Sequence, residues 1–216
     1  MLKLTVIFIL FFLGIHIANA QDANQDIKLP PIGKWLERDG GTPADWLGKK
    51  YKNKQLLEPI NVVIIDEHSQ SREQAIQKLT TECKKQGYKA KHGHSCGYFG
   101  QIDSTLFAQI TAQKKVAFSN KIFIKTNNHG RIMGPAYYDG KYIFVAAFSR
   151  ESFRLLGRIH HSFRSFTIAR NDFCQKLAKR NVYKIMGRYN LANRVDDDCS
   201  TTADHDGEAI MLYANK

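Results

Sequence analysis

"GRIMGPAYYDGKYIFVAAFS", residues 130–149, decides how the chain is to be read. Asp139-Gly140 separates two strand-like runs, and a two-residue Asp-Gly link favours a type I′ turn, whose positive φ angles match the twist of the flanking strands. The stretch is therefore expected to be a β-hairpin. Counting outward from the turn pairs Tyr138 with Lys141 and His129 with Arg150. In that register His129, Arg131 and Arg150 share one face, where an imidazole beside two guanidiniums suits an oxyanion. Gly134-Pro135 interrupts the first strand, and a bulge there shifts the register.

Working outward, "INVVIID", residues 60–66, is a short apolar run rich in β-branched side chains, as a buried central strand requires. A helix follows it: Ser71 caps, Gln74 stands three residues on, and Ala75, Leu79 and Cys83 recur at spacing four until Gly87 stops it. A second helix is expected from Asp103 to Gln113, with Leu106, Phe107 and Ile110 on its buried side. "KIFIK", residues 121–125, alternates like a strand. Beyond the hairpin come a strand near 155–161, a helix near 168–179 carrying Ala169, Phe173 and Leu177, and strands near 182–188 and 208–213. Residues 21–58 mix Pro30-Pro31, Gly40-Gly41 and lysines with Trp35 and Trp46, and read as an irregular or partly helical arm docked by its indoles. The order implies one α/β or α+β domain over residues 59–216, a mixed sheet with flanking helices in three layers.

Residues 1–20 stand apart from the fold. Lys3 precedes the apolar run from Val6 to Leu13, and Ala18-Asn19-Ala20 is a small-x-small cleavage signal, so this segment reads as a secretory leader. The expectation is an exported protein, periplasmic or secreted. The chain carries a formal charge of +12, and the leader contributes only Lys3 to it. A basic domain of this kind favours an anionic partner, membrane-surface headgroups included. The chain has no tract of five or more basic residues, which argues against a nucleic-acid-binding arm. Four cysteines, Cys83, Cys96, Cys174 and Cys199, are an even count for an oxidising compartment. Of the three connectivities, Cys83–Cys96 with Cys174–Cys199 ties each predicted helix to the loop after it. Their spacing is not that of a zinc site, and nothing in the sequence calls for a metal or cofactor.

A second motif is "LLGRIHHSFRSFTIARND", residues 155–172. Side chains alternate along a strand, so only one of His160 and His161 can line a pocket; His161 shares parity with Ile159 and Phe163. The helix after it offers its N-terminal amides to an anion, with Arg170 and Asp172 in its first turn. Asp172 can orient an imidazole, or can simply complement the helix dipole.

Two further patterns carry less. "GHSCG", residues 93–97, fits G-x-S-x-G, with Asp198 and His205 following in α/β-hydrolase order, but the polar prefix "YKAKH" is not the apolar strand that such an elbow needs. Asp196, Asp198, Asp204 and Asp206 could offer oxygens to calcium, without the spacing of an EF-hand.

The succession "EPINVVII", "NNHGRIMGP", "GKYIFVAAFSRE" and "IHHSFRSFTIARNDF" resembles the LssY-type C-terminal domain family, over about Pro59 to Leu177. The resemblance implies a site built from His129, Arg131, the strand from Ile143 to Phe148, His160, His161, Arg170 and Asp172. Where the family tends to be Asp-rich after the His pair, this chain has Ser162-Phe163-Arg164-Ser165. No reaction is implied by the family.

Two functional readings follow. In one, a basic cleft binds a phosphate-bearing anion and hydrolyses a phosphoester, with His129, His160 or His161 as acid–base or nucleophile, Asp172 orienting, and Arg131, Arg150 and Arg170 steadying charge. In the other, the same face is a non-enzymatic envelope or secreted module that holds lipid headgroups, glycans or a host partner. Imidazoles of His129 and one of His160 and His161 meeting across a concave site would favour the first.

Overall fold

The computed structural model describes residues 27–38, 41–92, 97–111, 116–122, 124–154 and 160–215; the leader segment, Ser95, Cys96 and the side chain of His160 lie outside that set. Among the described residues the elements run β1 (Asp45–Tyr51), β2 (Lys54–Leu57), β3 (Val62–Asp66), α1 (Arg72–Lys85), β4 (Lys89–His92), β5 (Phe99–Ile102), β6 (Thr105–Ala108), β7 (Val116–Ser119), β8 (Asn127–Tyr138), β9 (Lys141–Arg154), β10 (His160–Ser165), α2 (Thr167–Ala178), β11 (Tyr183–Asn190), β12 (Ser200–Thr201) and β13 (Glu208–Ala214). The main sheet has the order β11-β13-β3-β9-β8-β7-β4, with β10 also pairing to β9. Since β13 runs parallel to β3 while the other pairs of this sheet are antiparallel, it is the mixed α/β sheet that the element order implied. None of the described helices is long and apolar enough to cross a membrane.

Both faces of the sheet are covered, which accounts for the unbroken apolar runs of its central strands. Val62, Ile64, Phe144, Ala146 and Phe148 point to α1 and α2, where they meet Ala75, Leu79, Cys83, Ala169, Phe173 and Leu177. Val63, Ile65, Ile143, Val145 and Ala147 point the other way, to Leu36, Ala44, Tyr98 and Ile102. Burial of each such large side chain is worth about 1.5–3 kcal/mol. Two glycines let the layers close. A Cβ on Gly130 would lie 2.4 Å from a ring carbon of Phe148, and one on Gly100 would lie 2.7 Å from Val145, where the β5–β6 ribbon crosses the second face.

Both helices form as their patterns require, but their starts differ. Ser71 Oγ caps α1 by accepting from the Gln74 N–H at 3.1 Å, and Gly87 beyond its end has φ +87°. For α2 the cap comes from far along the chain. The Asp204 carboxylate accepts from the N–H groups of Phe166 at 2.8 Å and Thr167 at 3.3 Å, and from the Ser165 hydroxyl.

Three local expectations are corrected. Residues 103–111, the described part of the helix expected at 103–113, do not form one: Thr105–Ala108 pairs with Phe99–Ile102 around a two-residue turn in which Asp103 has φ +57°, and Leu106 is exposed. An apolar run of four does not distinguish strand from helix by periodicity. The strand expected at 121–125 is instead β7 just before it, whose four residues are all buried, whereas Ile122 and Ile124 are half exposed. The arm at 21–58 is not wholly irregular, because β1 and β2 form a hairpin that joins β12 in a small sheet. Its Trp46 is buried as expected, against Leu56 and Phe166.

The predicted disulfides are also corrected. Cys174 is buried on the core side of α2 while Cys199 is exposed, and both are free; Cys83 is buried and free, and Cys96, its expected partner, lies outside the described residues. The i, i+4 spacing that marked Cys83 as a helix residue is what puts it in the apolar core, and burial pushes the thiols of Cys83 and Cys174 well above their ordinary range.

One buried polar residue completes the ladder. β3 and β10 pair with successive parts of β9, and between them Asn61 donates to the Phe148 carbonyl at 2.9 Å and accepts from its N–H at 3.0 Å.

Candidate functional site

The hairpin has the predicted turn, with Tyr138 opposite Lys141 and positive φ at Asp139 and Gly140. Its register then slips. Between Met133 and Ala136, Gly134 and Pro135 stand opposite the single Phe144, so His129 faces Ser149 and Arg150 faces Asn128. A one-residue slip moves a side chain to the other face of the sheet. His129 and Arg131 therefore share a face as expected, whereas Arg150 lies on the helix face with Asn128.

The slip substitutes an acid for the expected arginine. Glu151, two residues beyond Ser149, is buried with its Oε1 3.7 Å from His129 Nδ1 and its Oε2 3.0 Å from His161 Nδ1. His161 reaches it because β10 places that residue opposite Phe153 on the same face, as strand parity required. The side-chain amide of Asn127 donates to Glu151 Oε1 at 2.9 Å. Burial pushes the Glu151 carboxyl above its usual range, and the Asn127 hydrogen bond and His161 oppose that shift. On the far side of His129, its Nε2 lies 3.5 Å from Ser149 Oγ, which also accepts from the Trp46 indole N–H at 3.0 Å.

Two imidazoles distant along the chain thus converge on one buried carboxylate. His129 is only 3% exposed, but the side chain of His161 keeps 28% of its surface and borders a pocket of about 220 Å³ lined by Trp46, Lys49, Lys50, Tyr51, His161, Ser162 and Phe163. Lys49 and Lys50 are exposed on β1, so the pocket joins two exposed lysines to an imidazole whose Nδ1 meets a carboxylate. A carboxylate at that distance orients an imidazole, and imidazole is the side chain suited to proton exchange near neutral pH.

The remaining predicted residues lie elsewhere. Arg131 is buried, ion-paired to Glu58 at 3.2 Å, with its guanidinium 4.0 Å from the centre of the Tyr98 ring. Arg170 is fully buried and holds Asp206 with both terminal nitrogens, at 2.6 and 2.8 Å, as well as the Glu208 carbonyl. Among the described side chains Asp172 meets no histidine. It accepts from the Tyr88 hydroxyl at 2.6 Å, Asn128 at 2.9 Å and Lys176 at 3.1 Å, and although burial opposes it, those bonds hold its carboxyl below the usual range. The α2 N-terminus already holds an anion, Asp204. The His160 backbone pairs with Arg154, and its side chain lies outside the described residues.

The acidic segment is likewise engaged: Asp196 pairs with Lys54 at 2.8 Å and Asp206 with Arg170 and Arg188. Among the described residues no group of three or more His, Cys, Asp or Glu side chains is arranged to hold a metal ion. Sequence reasoning missed Glu151, Ser149, Trp46, Lys49, Lys50 and Tyr51. A lone acid in "AAFSRESF" was the available signal for Glu151, and it needed the bulge to acquire the right parity.

Neither family models, nor curated proteins, nor solved structures yield a match to this chain. The likeness to LssY-type C-terminal domains rests on the four quoted motifs.

Proposed function

We propose that the chain binds a phosphate-bearing anion in the pocket beside His161 and hydrolyses its phosphoester, with His161 as the proton-transferring group. The observation that carries this reading is the 3.0 Å contact of His161 Nδ1 with the buried Glu151, at the edge of a pocket that also presents Lys49 and Lys50. Lys49 and Lys50 attract and hold the phosphate oxygens. Glu151 orients His161, whose imidazole takes a proton from the attacking water or gives one to the departing oxygen. His129 shares the same carboxylate from the interior, as a positioning residue. The likeness to LssY-type domains draws attention to the same imidazoles. With residues 1–20 read as an export leader, the ligand is met outside the cytoplasm.

Binding without turnover is the second reading, and the exposed Lys49 and Lys50 favour it, since two cationic side chains at a pocket hold an anion without any proton transfer. A panel of generic phosphoesters assayed with the native chain, His161→Ala and His129→Ala separates the two. Hydrolysis should fall by about a hundredfold in His161→Ala and by less in His129→Ala. Equal rates in all three would leave only binding.

A further inference from the structure

The pocket is not lined as a site for bare phosphate. Its lining also includes an aromatic cluster: Phe163 meets the ring of Trp46 edge-on at 5.7 Å between centroids and that of Tyr51 at 5.5 Å. Trp46 is held from below by its hydrogen bond to Ser149, and Phe163 packs on Phe166, 4.6 Å away, so the cluster is fixed before any ligand arrives. Tyr51 and Phe163 are only half-buried, which leaves aromatic surface facing the cavity. A preformed, partly wetted ring surface beside ammonium groups discriminates by what accompanies the phosphate.

We infer that the pocket takes a small aromatic phosphomonoester, one ring carrying one phosphate, in preference to inorganic phosphate or a phosphorylated polyol. The inference rests on the phosphate-binding reading above and specifies the organic part of the ligand. The charges and the rings line one small pocket, with Tyr51 next to Lys50 in β1 and Phe163 two residues from His161 in β10, so phosphate at Lys49, Lys50 and His161 brings its substituent within reach of Tyr51 and Phe163. The cavity volume of about 220 Å³ accommodates one ring and its phosphate and is too small for a long acyl chain or a dinucleotide.

The test is equilibrium binding of phenyl phosphate, glycerol 3-phosphate and inorganic phosphate to the full chain by calorimetry at low salt, repeated with Tyr51→Ser and Lys50→Ser. Phenyl phosphate should bind about tenfold tighter than the other two, an advantage that an added aromatic contact can supply. Tyr51→Ser should lose about three- to tenfold toward phenyl phosphate alone, and Lys50→Ser should weaken binding of all three. Both side chains are at least partly exposed, and an unchanged Tm identifies the variants as folded. Three equal affinities in the native chain, still sensitive to Lys50→Ser, would overturn the aromatic preference and leave the phosphate reading standing. No binding of any of the three would overturn both.

Discussion

Two clusters of charged side chains are built on this sheet, each around a buried member, and they differ in one respect. Arg170, Asp206, Arg188 and Glu208 form a closed set: the guanidinium of Arg170 spends both terminal nitrogens on Asp206, Arg188 binds Asp206 at 3.0 Å and Glu208 at 2.8 Å, and no pocket among those described opens on Arg170. His129, Glu151 and His161 form an open set. One carboxylate serves two imidazoles, and one of those reaches a pocket with two lysines. Each cluster contains residues that the sequence marks as interesting, His129 and His161 in one and Arg170 in the other. Among the described residues only the open one borders a pocket, so access to a cavity, rather than residue type, distinguishes a fastening from a candidate site.

The largest effect expected from this contrast belongs to the closed cluster. Arg170→Ala removes a fully buried guanidinium and should cost about 3–5 kcal/mol in urea unfolding, with phosphate affinity in the folded fraction unchanged. A large loss of phosphate affinity in folded Arg170→Ala would erase the distinction between the clusters. Next comes acid sensitivity. His205, beside Asp206 and bonded through Nε2 to Asn193 at 2.6 Å, is held to about 4 by its burial, against 6.5 for a free imidazole. Its folded form resists protonation, so the unfolded chain binds the extra proton between these values and stability falls as pH drops from 6.5 toward 4. The loss is about 3 kcal/mol over that window, and His205→Gln should flatten the profile there. The open cluster should behave inversely. Glu151→Gln keeps an oxygen for Asn127 and removes an ionised group that burial already disfavours, so stability should change by only about 1 kcal/mol. Phosphoester hydrolysis should still fall by about a hundredfold, because His161 loses its carboxylate. Unfolding of Glu151→Gln, or full activity in it, would break the comparison from this side.

The elements that were legible in the sequence are those whose physics is local. The Asp139-Gly140 turn, the Ser71 cap and the apolar spacing on both helices need only neighbouring residues. The shared face of His129 and Arg131 follows from alternation along a single strand, which also limits the pocket to one of His160 and His161 without choosing between them. What was not legible depends on counts between strands or on contacts across the chain. The bulge at Gly134-Pro135 exchanges Arg150 for Glu151 in the site, and the choice rests on one extra residue. Lys49, Lys50 and Tyr51 enter from a hairpin whose lysine-rich sequence lacks the alternation of a half-buried strand. Arg170 has the chemistry of an anion binder, but its partner lies 36 residues away and belongs to the protein itself.

The side chain of Asn61 stands in for a peptide group. It fills one rung of the ladder along β9, where the strand changes partner from β3 to β10, offering a donor and an acceptor at the spacing of main-chain amide and carbonyl. Of the side chains of that length, an aspartate provides no donor to the Phe148 carbonyl and a leucine provides neither group. The seam between the strand that anchors the core and the strand that carries His161 is therefore closed by a carboxamide in place of backbone, and that makes position 61 intolerant even of isosteric exchange.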